Sequence, residues 1–200
     1  RTVQTAAIPI IFSVFLVLYV LLWRLKDSIW ANDNELLLML TLILISSIFL
    51  RGVSYFSQIS DLEFIQYALP ISFVGIISVT LLNLRATLIL SLSSSLLALA
   101  GGGNIGLVAL GALGTIIPGI FLSEDTDRAL LRQRIVYISL TQPLLAFGVY
   151  FFLRDDGNLA QILIFSFISA LVANLAAFSV TSYIESIFRL TSSFKLSELA

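Results

Sequence analysis

Residues 159–180 run without a charged residue, a glycine or a proline. About twenty apolar residues in succession are what a helix needs to cross a hydrocarbon core of about 30 Å. No water is available there to satisfy the backbone, so such a segment has to pair its own N–H and C=O groups and be a helix. Beyond Val180 the character shifts from apolar to amphipathic and charged, through Glu185, Arg189, Lys195 and Glu198. That is the pattern of a membrane helix leaving the bilayer toward a soluble partner or domain. The pattern is still running at Ala200, the first residue is Arg1, and the one methionine is Met39. The expectation is a transmembrane module that belongs to something longer.

Further apolar runs lie upstream, at residues 6–23, 36–56, 65–82, 86–100, 105–122 and 135–153, and the last run extends to Tyr183. Polar or turn-forming stretches separate them: 24–35, 57–64, Asn83-Leu84-Arg85, Gly101-Gly102-Gly103-Asn104, 123–134 and 154–158. Pro9 and Pro70 fall in the first turns of their runs, where a missing N–H costs least. Trp23 and Trp30 flank the end of the first run as interfacial aromatics do. Arg51 lies near enough to the end of the second to snorkel. The chain is 58% hydrophobic and 12% charged, with a mean hydropathy of +1.03, more apolar surface than a soluble core of this size can hide. The first run is too long for a signal peptide and lacks a cleavage pattern. Nothing alternates as a membrane barrel strand would, and no inverted repeat is visible. The expected fold is all-α: a polytopic membrane helix bundle of about seven transmembrane helices over residues 1–188, then a cytoplasmic linker at 189–200.

Seven spans place the two ends on opposite sides. One side then carries Arg24, Lys26, Arg85, Arg128, Arg132, Arg134, Arg189 and Lys195, and the other carries Arg1, Arg51 and Arg154. The basic-inside rule therefore puts the N-terminus outside and the C-terminus in the cytoplasm. Cysteine and histidine are both absent, which removes disulfides, thiolate chemistry, His–metal sites and His general bases from these residues.

Few polar side chains fall inside the runs. Gln142 lies beside Pro143 in the sixth and Asn174 in the seventh, while Ser91, Ser93, Ser94 and Ser95 cluster in the fourth. Helix–helix hydrogen bonding accounts for these more simply than an intramembrane active site. No charge sits deep in a well-defined run, which argues against proton-coupled transport and intramembrane proteolysis. Ser166, Ser169, Ala170, Ala173 and Ala177 form a small-residue stripe on the seventh run, and Gly106, Gly111 and Gly114 crowd the fifth. Close backbone approach at those positions places these two helices at the centre of the bundle, with plain packing favoured over a lipid or ligand groove. The segment 124–134 has acids first and bases later, as a short interfacial helix would, and serves equally as a topogenic cluster or a docking surface. Glu124, Asp125 and Asp127 are too few for a metal site. Glu185 and Arg189, four apart, suit a helix-end ion pair, or a coupling segment that passes helix movement to a following domain.

The exit segment Glu185-x-x-Phe188-x-Leu190-Thr191-x-x-x-Lys195-Leu196-x-Glu198-Leu199 resembles the linker of the seven-transmembrane receptors with an intracellular HD hydrolase domain. Tyr67-Ala68-Leu69-Pro70, Leu81-Leu82-Asn83-Leu84-Arg85-Ala86 and the arginine-bearing loop before the sixth run are weaker points of similarity. The resemblance covers nearly the whole chain. It implies an N-terminal membrane segment and an extracytoplasmic sensor domain before Arg1, and a metal-dependent HD phosphohydrolase after Ala200, of the cyclic di-AMP phosphodiesterase type. The divalent metal, manganese or iron, would sit in that hydrolase on His and Asp residues this chain lacks, so no catalytic residue of the family maps here. The implied role is anchoring and signal relay, with Glu185, Arg189 and Lys195 at the exit. The implied partners are membrane lipid, the protein's own sensor and hydrolase domains, and a second copy or a larger membrane complex, with no nucleic acid. A bacterial-type plasma membrane is the expected location, and a thylakoid would read the same. The rival reading is a structural or assembly subunit of a membrane complex; a small transporter or channel is weakened by the lack of buried charge.

Overall fold

The structure, a computed structural model, describes residues 33–60, 63–100, 105–122, 128–153 and 157–190. The first apolar run, residues 6–23, lies outside the described residues. Six α-helices and one 3-10 turn make up nearly all that is described, with no strand among the described residues. We number the helices α1 (Asp33–Ser60), α2 (Ile71–Leu81), α3 (Leu84–Ala100), α4 (Ile105–Leu122), α5 (Arg128–Leu153) and α6 (Leu159–Phe188). The 3-10 turn, Glu63–Tyr67, precedes α2.

Lengths sort the helices against a bilayer. At 1.5 Å per residue the 28 residues of α1 reach about 42 Å and the 30 of α6 about 45 Å, both longer than a hydrocarbon core of about 30 Å. Among the described residues, four segments are long and apolar enough to cross: Asp33–Ser57, Phe64–Leu81, Val136–Leu153 and Leu159–Phe188. Two shorter apolar helices, Leu84–Leu97 and Gly106–Leu122, join them among the described residues.

The third span departs from the expected single helix beginning near Ile65. It is a 3-10 turn, a non-helical link through Ala68, Leu69 and Pro70, and then an α-helix of 11 residues. The cause is Pro70. Its ring disfavours helical backbone at Leu69, so the helix can restart only after the proline, and Pro70 becomes the N-cap of α2. The sixth span also differs, since α5 begins at Arg128 and its basic residues sit on the helix and not in a loop. Arg128-Ala129-Leu130-Leu131-Arg132-Gln133-Arg134 are all strong helix formers with no breaker before Ile135. The acids Glu124, Asp125 and Asp127 lie outside the described residues.

The centre of the bundle is α2, which corrects the expectation that the fifth and seventh spans hold that place. Over an apolar stretch of 18 residues, 67% are buried in Phe64–Leu81, against 33% within Asp33–Ser57, 22% in Val136–Leu153 and 33% within Leu159–Phe188. Every residue of α2 except Phe73 is buried. The other helices follow one another around it: α1 packs on α3, α3 on α4, α4 on α5 and α5 on α6. Among the described helices the ring does not close, because α1 and α6 touch only marginally. The fifth and seventh spans, α4 and α6, are the walls that press hardest on α2.

Small residues set these distances. A Cβ on Gly75 would come within 2.3 Å of the Thr115 carbonyl oxygen, so α2 and α4 cross backbone to backbone. The stripe on α6 is buried as its spacing predicts, with Ser166, Ala170, Ala173 and Ala177 turned into the bundle. The outward faces carry Leu44, Ile48, Phe152, Ile168 and Val172, exposed apolar side chains suited to acyl chains.

Candidate functional site, a broken span tied to the exit helix

The link at Ala68, Leu69 and Pro70 interrupts a helix inside a membrane bundle, which is tolerated only where the freed backbone groups find other partners. Here they do. Ser169 on α6 donates its hydroxyl to the Ala68 carbonyl at 2.8 Å. Gln142 on α5 donates from Nε2 to the Leu69 carbonyl. The Leu69 carbonyl also accepts the Ile71 N–H at 2.9 Å, and the Ala68 N–H reaches the Ile65 carbonyl at 3.1 Å. One turn before Ser169, Phe165 of α6 stacks on Phe64 of the 3-10 turn, with ring centroids 4.7 Å apart. Tyr67 is buried to 1% exposure beside it. The break is thus clamped to α6 by a ring stack and a hydrogen bond one turn apart, and to α5 by an amide.

Other polar residues stitch neighbouring helices. Asn174 of α6 donates from Nδ2 to the Ser139 hydroxyl of α5 at 2.8 Å. Ser78 of α2 and Thr87 of α3 share a hydrogen bond of 2.8 Å between their hydroxyls. Ser91 donates to the Ala112 carbonyl across α3 and α4 at 2.8 Å. Ser93 and Ser94 bond back to their own helix, at Ile89 and Ser91. Hydrogen bonds of this kind contribute on the order of 1 kcal/mol each in a bilayer. Gln142 Oε1 and Asn174 Oδ1 are buried without a hydrogen-bond partner among the described residues.

The tight turn between α2 and α3 is built on Asn83. Its Oδ1 accepts the Ala86 N–H at 2.8 Å, the bond of a helix N-cap. Asn158 does the same for α6, accepting from the Ala160 and Gln161 N–H groups. The other end of α6 is also terminated. Arg189 adopts a left-handed conformation, with φ 52° and ψ 39°, and the Leu190 N–H returns to the Glu185 carbonyl at 3.1 Å. That six-to-one bond is the signature of a Schellman motif. Leu190 folds back into the apolar cluster against which Ile184 and Phe188 pack.

Of the exit residues, Glu185 is half-buried in the last turn of α6, Arg189 is exposed at the cap, and Lys195 lies outside the described residues. The helical i, i+4 face suggested for Glu185 and Arg189 is interrupted, because Arg189 has left the helix. No ion pair joins the two among the described residues. Sequence reasoning passed over Ser169 as one more small residue and took Pro70 for an ordinary first-turn proline. The signal was the neighbouring Ala68-Leu69-Pro70, which requires backbone acceptors to be met from elsewhere. The chain has neither His nor Cys, and no cluster of three potential metal ligands occurs among the described residues. Among the described residues nothing offers the donor set of the divalent metal that the resemblance implies.

Comparison with known proteins places this arrangement. Residues 4–192 match the family described as 7TM receptor with intracellular HD hydrolase. No curated protein and no solved structure matches the chain. The match covers nearly all of the sequence, including the broken third span, the Asn83 turn and the whole of α6: the chain belongs to the family of 7TM receptors with an intracellular HD hydrolase.

Proposed function

We propose that this chain anchors a membrane-bound HD-type phosphohydrolase and relays a signal to it, and that the hydrolase acts on cyclic di-AMP. The observation that carries the relay is the connection between the buried break and α6. The carbonyl of Ala68 is held by Ser169, and the same helix runs on for nearly twenty residues to its cap at Arg189. A helix of about 45 Å exceeds the hydrocarbon core by about 15 Å, so a displacement at the break is delivered outside the bilayer. A signal shifts such a relay only by binding its two states unequally. The basic residues support an N-terminus outside and a cytoplasmic C-terminus. The metal, manganese or iron, would be held by the hydrolase domain, and the sensor domain would lie on the opposite side of the membrane. Self-association into a homodimer fits the same scheme.

The test uses the native protein. Its intact mass and its hydrolysis of cyclic di-AMP with added Mn²⁺ are measured together. A mass well above 21.9 kDa with metal-dependent hydrolysis is expected. A mass near that of the chain would transfer it to the structural-subunit reading, and a large mass without hydrolysis would remove cyclic di-AMP as substrate. In the full-length protein, Ser169→Ala is expected to change the response to signal more than the basal rate of the hydrolase.

A further inference from the structure

Where the ring of described helices stays open, between α1 and α6, lies a cavity of about 200 Å³. Its floor is the break itself: Leu69, Pro70 and Ile71, with Val74 of α2 and Ser94 of α3 beyond. The floor is deep, with Leu69 at 1% exposure, Val74 at 4% and Ser94 at 1%. The rim is not, because Phe49 of α1 is 52% exposed and Val172 of α6 is 58% exposed. The cavity therefore opens sideways, on the face of the bundle where other large apolar side chains are also exposed.

The walls specify the occupant. Two hydroxyls line the cavity, and both are already engaged within their own helices, Ser46 with the Ile43 carbonyl and Ser94 with the Ser91 carbonyl. Everything else in the lining is hydrocarbon, aromatic ring or proline. A cavity of this kind offers water too few partners to hold it. It rewards an apolar occupant by dispersion along its whole length. In a membrane-spanning protein the molecules facing a lateral opening are lipids, present at the highest concentration of any apolar solute.

We infer that this cavity is a binding site for one acyl chain of a bilayer phospholipid, which enters between α1 and α6 and lies against the broken third span. The chain would touch Leu69 and Pro70, whose neighbouring carbonyls are tied to α5 and α6. It therefore bears on the clamp that leads to the exit helix. That regulatory consequence rests on the relay reading, whereas binding does not.

The experiment is photolabelling of the full-length protein in liposomes with a phosphatidylcholine that carries a diazirine in one acyl chain, followed by peptide mapping. Label is expected on Val74 and Ser94, which lipid on the outer surface cannot reach, as well as on exposed residues such as Phe152. Ala176→Phe, which fills the cavity from its half-buried wall, is expected to remove label from Val74 and Ser94 and leave Phe152 labelled. Val172→Ala, which widens the rim, controls for misfolding by keeping the interior label. Label confined to Phe152 and other exposed positions overturns the proposal. So does an interior label that survives Ala176→Phe. A disulfide formed in high yield between Val172→Cys and Phe15→Cys, with the interior unlabelled, overturns it in favour of the chain's own first apolar run as the cover. None of these readings depends on hydrolase activity, so the binding site and the phosphodiesterase assignment fail separately.

Discussion

Ser169 and Gln142 hold adjacent carbonyls, but losing each has a different consequence. The Ala68 carbonyl has Ser169 as its one partner among the described residues, whereas the Leu69 carbonyl keeps the Ile71 N–H when Gln142 is replaced. An orphaned carbonyl costs about 1–3 kcal/mol when buried, and the half-buried Ala68 carbonyl falls toward the lower end, still above the net worth of one hydrogen bond among several. Ser169→Ala is therefore expected to lower the unfolding free energy in detergent by about 1–2 kcal/mol, and Gln142→Leu by less. Equal losses, or the reverse order, would show that the clamp is misassigned. Gly75 is the second residue on which packing turns. With the Thr115 carbonyl oxygen 2.3 Å from where a Cβ would sit, Gly75→Ala has to push α2 and α4 apart. Overpacking of this kind costs about 1–3 kcal/mol. A melting temperature in detergent that does not fall would contradict the backbone-to-backbone crossing. Both residues were visible in the sequence, but as types only: nothing in the spacing of Gly75 or Ser169 tells which backbone atom each meets.

For the elements, the capping residues decide where membrane helices end. Asn83 and Asn158 start α3 and α6 by accepting backbone N–H groups, and both turns were legible from composition. The end of α6 was not. Arg189 is a non-glycine residue in the left-handed region, at a cost for its Cβ of about 1–2 kcal/mol. Arg189→Gly is expected to raise thermal stability, and the β-branched Arg189→Val to lower it. If the two variants melted alike, the left-handed cap would be in doubt. The sequence suggested a helix running on because Glu185 and Arg189, four apart, fit one helix face. The Schellman closure depends on Leu190 finding apolar company beside Ile184 and Phe188, which is a tertiary fact. The third span was misread for a related reason. Pro70 within a turn of Ile65 fits either a helix start or a break; its ring makes the break, and the hydroxyl and amide donors from α5 and α6 make it tolerable inside the bundle.

For the whole molecule, the ring of described helices around α2 has a topology that labelling can read. An N-terminus outside and a C-terminus inside place the α2–α3 turn and the start of α6 on opposite faces. The chain has no native cysteine, so single cysteines report cleanly. Arg85→Cys is expected to react with a membrane-impermeant maleimide only from the cytoplasmic side, and Gln161→Cys only from the other. Reaction of both from one side would remove the proposed orientation and, with it, the direction of the relay. Both positions are exposed at helix ends, so reactivity reads sidedness and not burial.

The sequence alone determined that this chain is a bundle of apolar helices in a membrane. It also set where most spans begin and stop, and it pointed to the family to which the chain belongs. Those conclusions follow from run length and backbone satisfaction in lipid, which are local properties. Tertiary structure alone decided that the third span is broken and central, that Ser169 and Gln142 serve its carbonyls, and that the described helices leave a cavity between α1 and α6. Each of these depends on which distant groups meet, such as Ser169 with Ala68 or Gly75 with Thr115. Apolar runs of equal hydropathy carry no information about their neighbours, because lipid accepts all their outer faces alike.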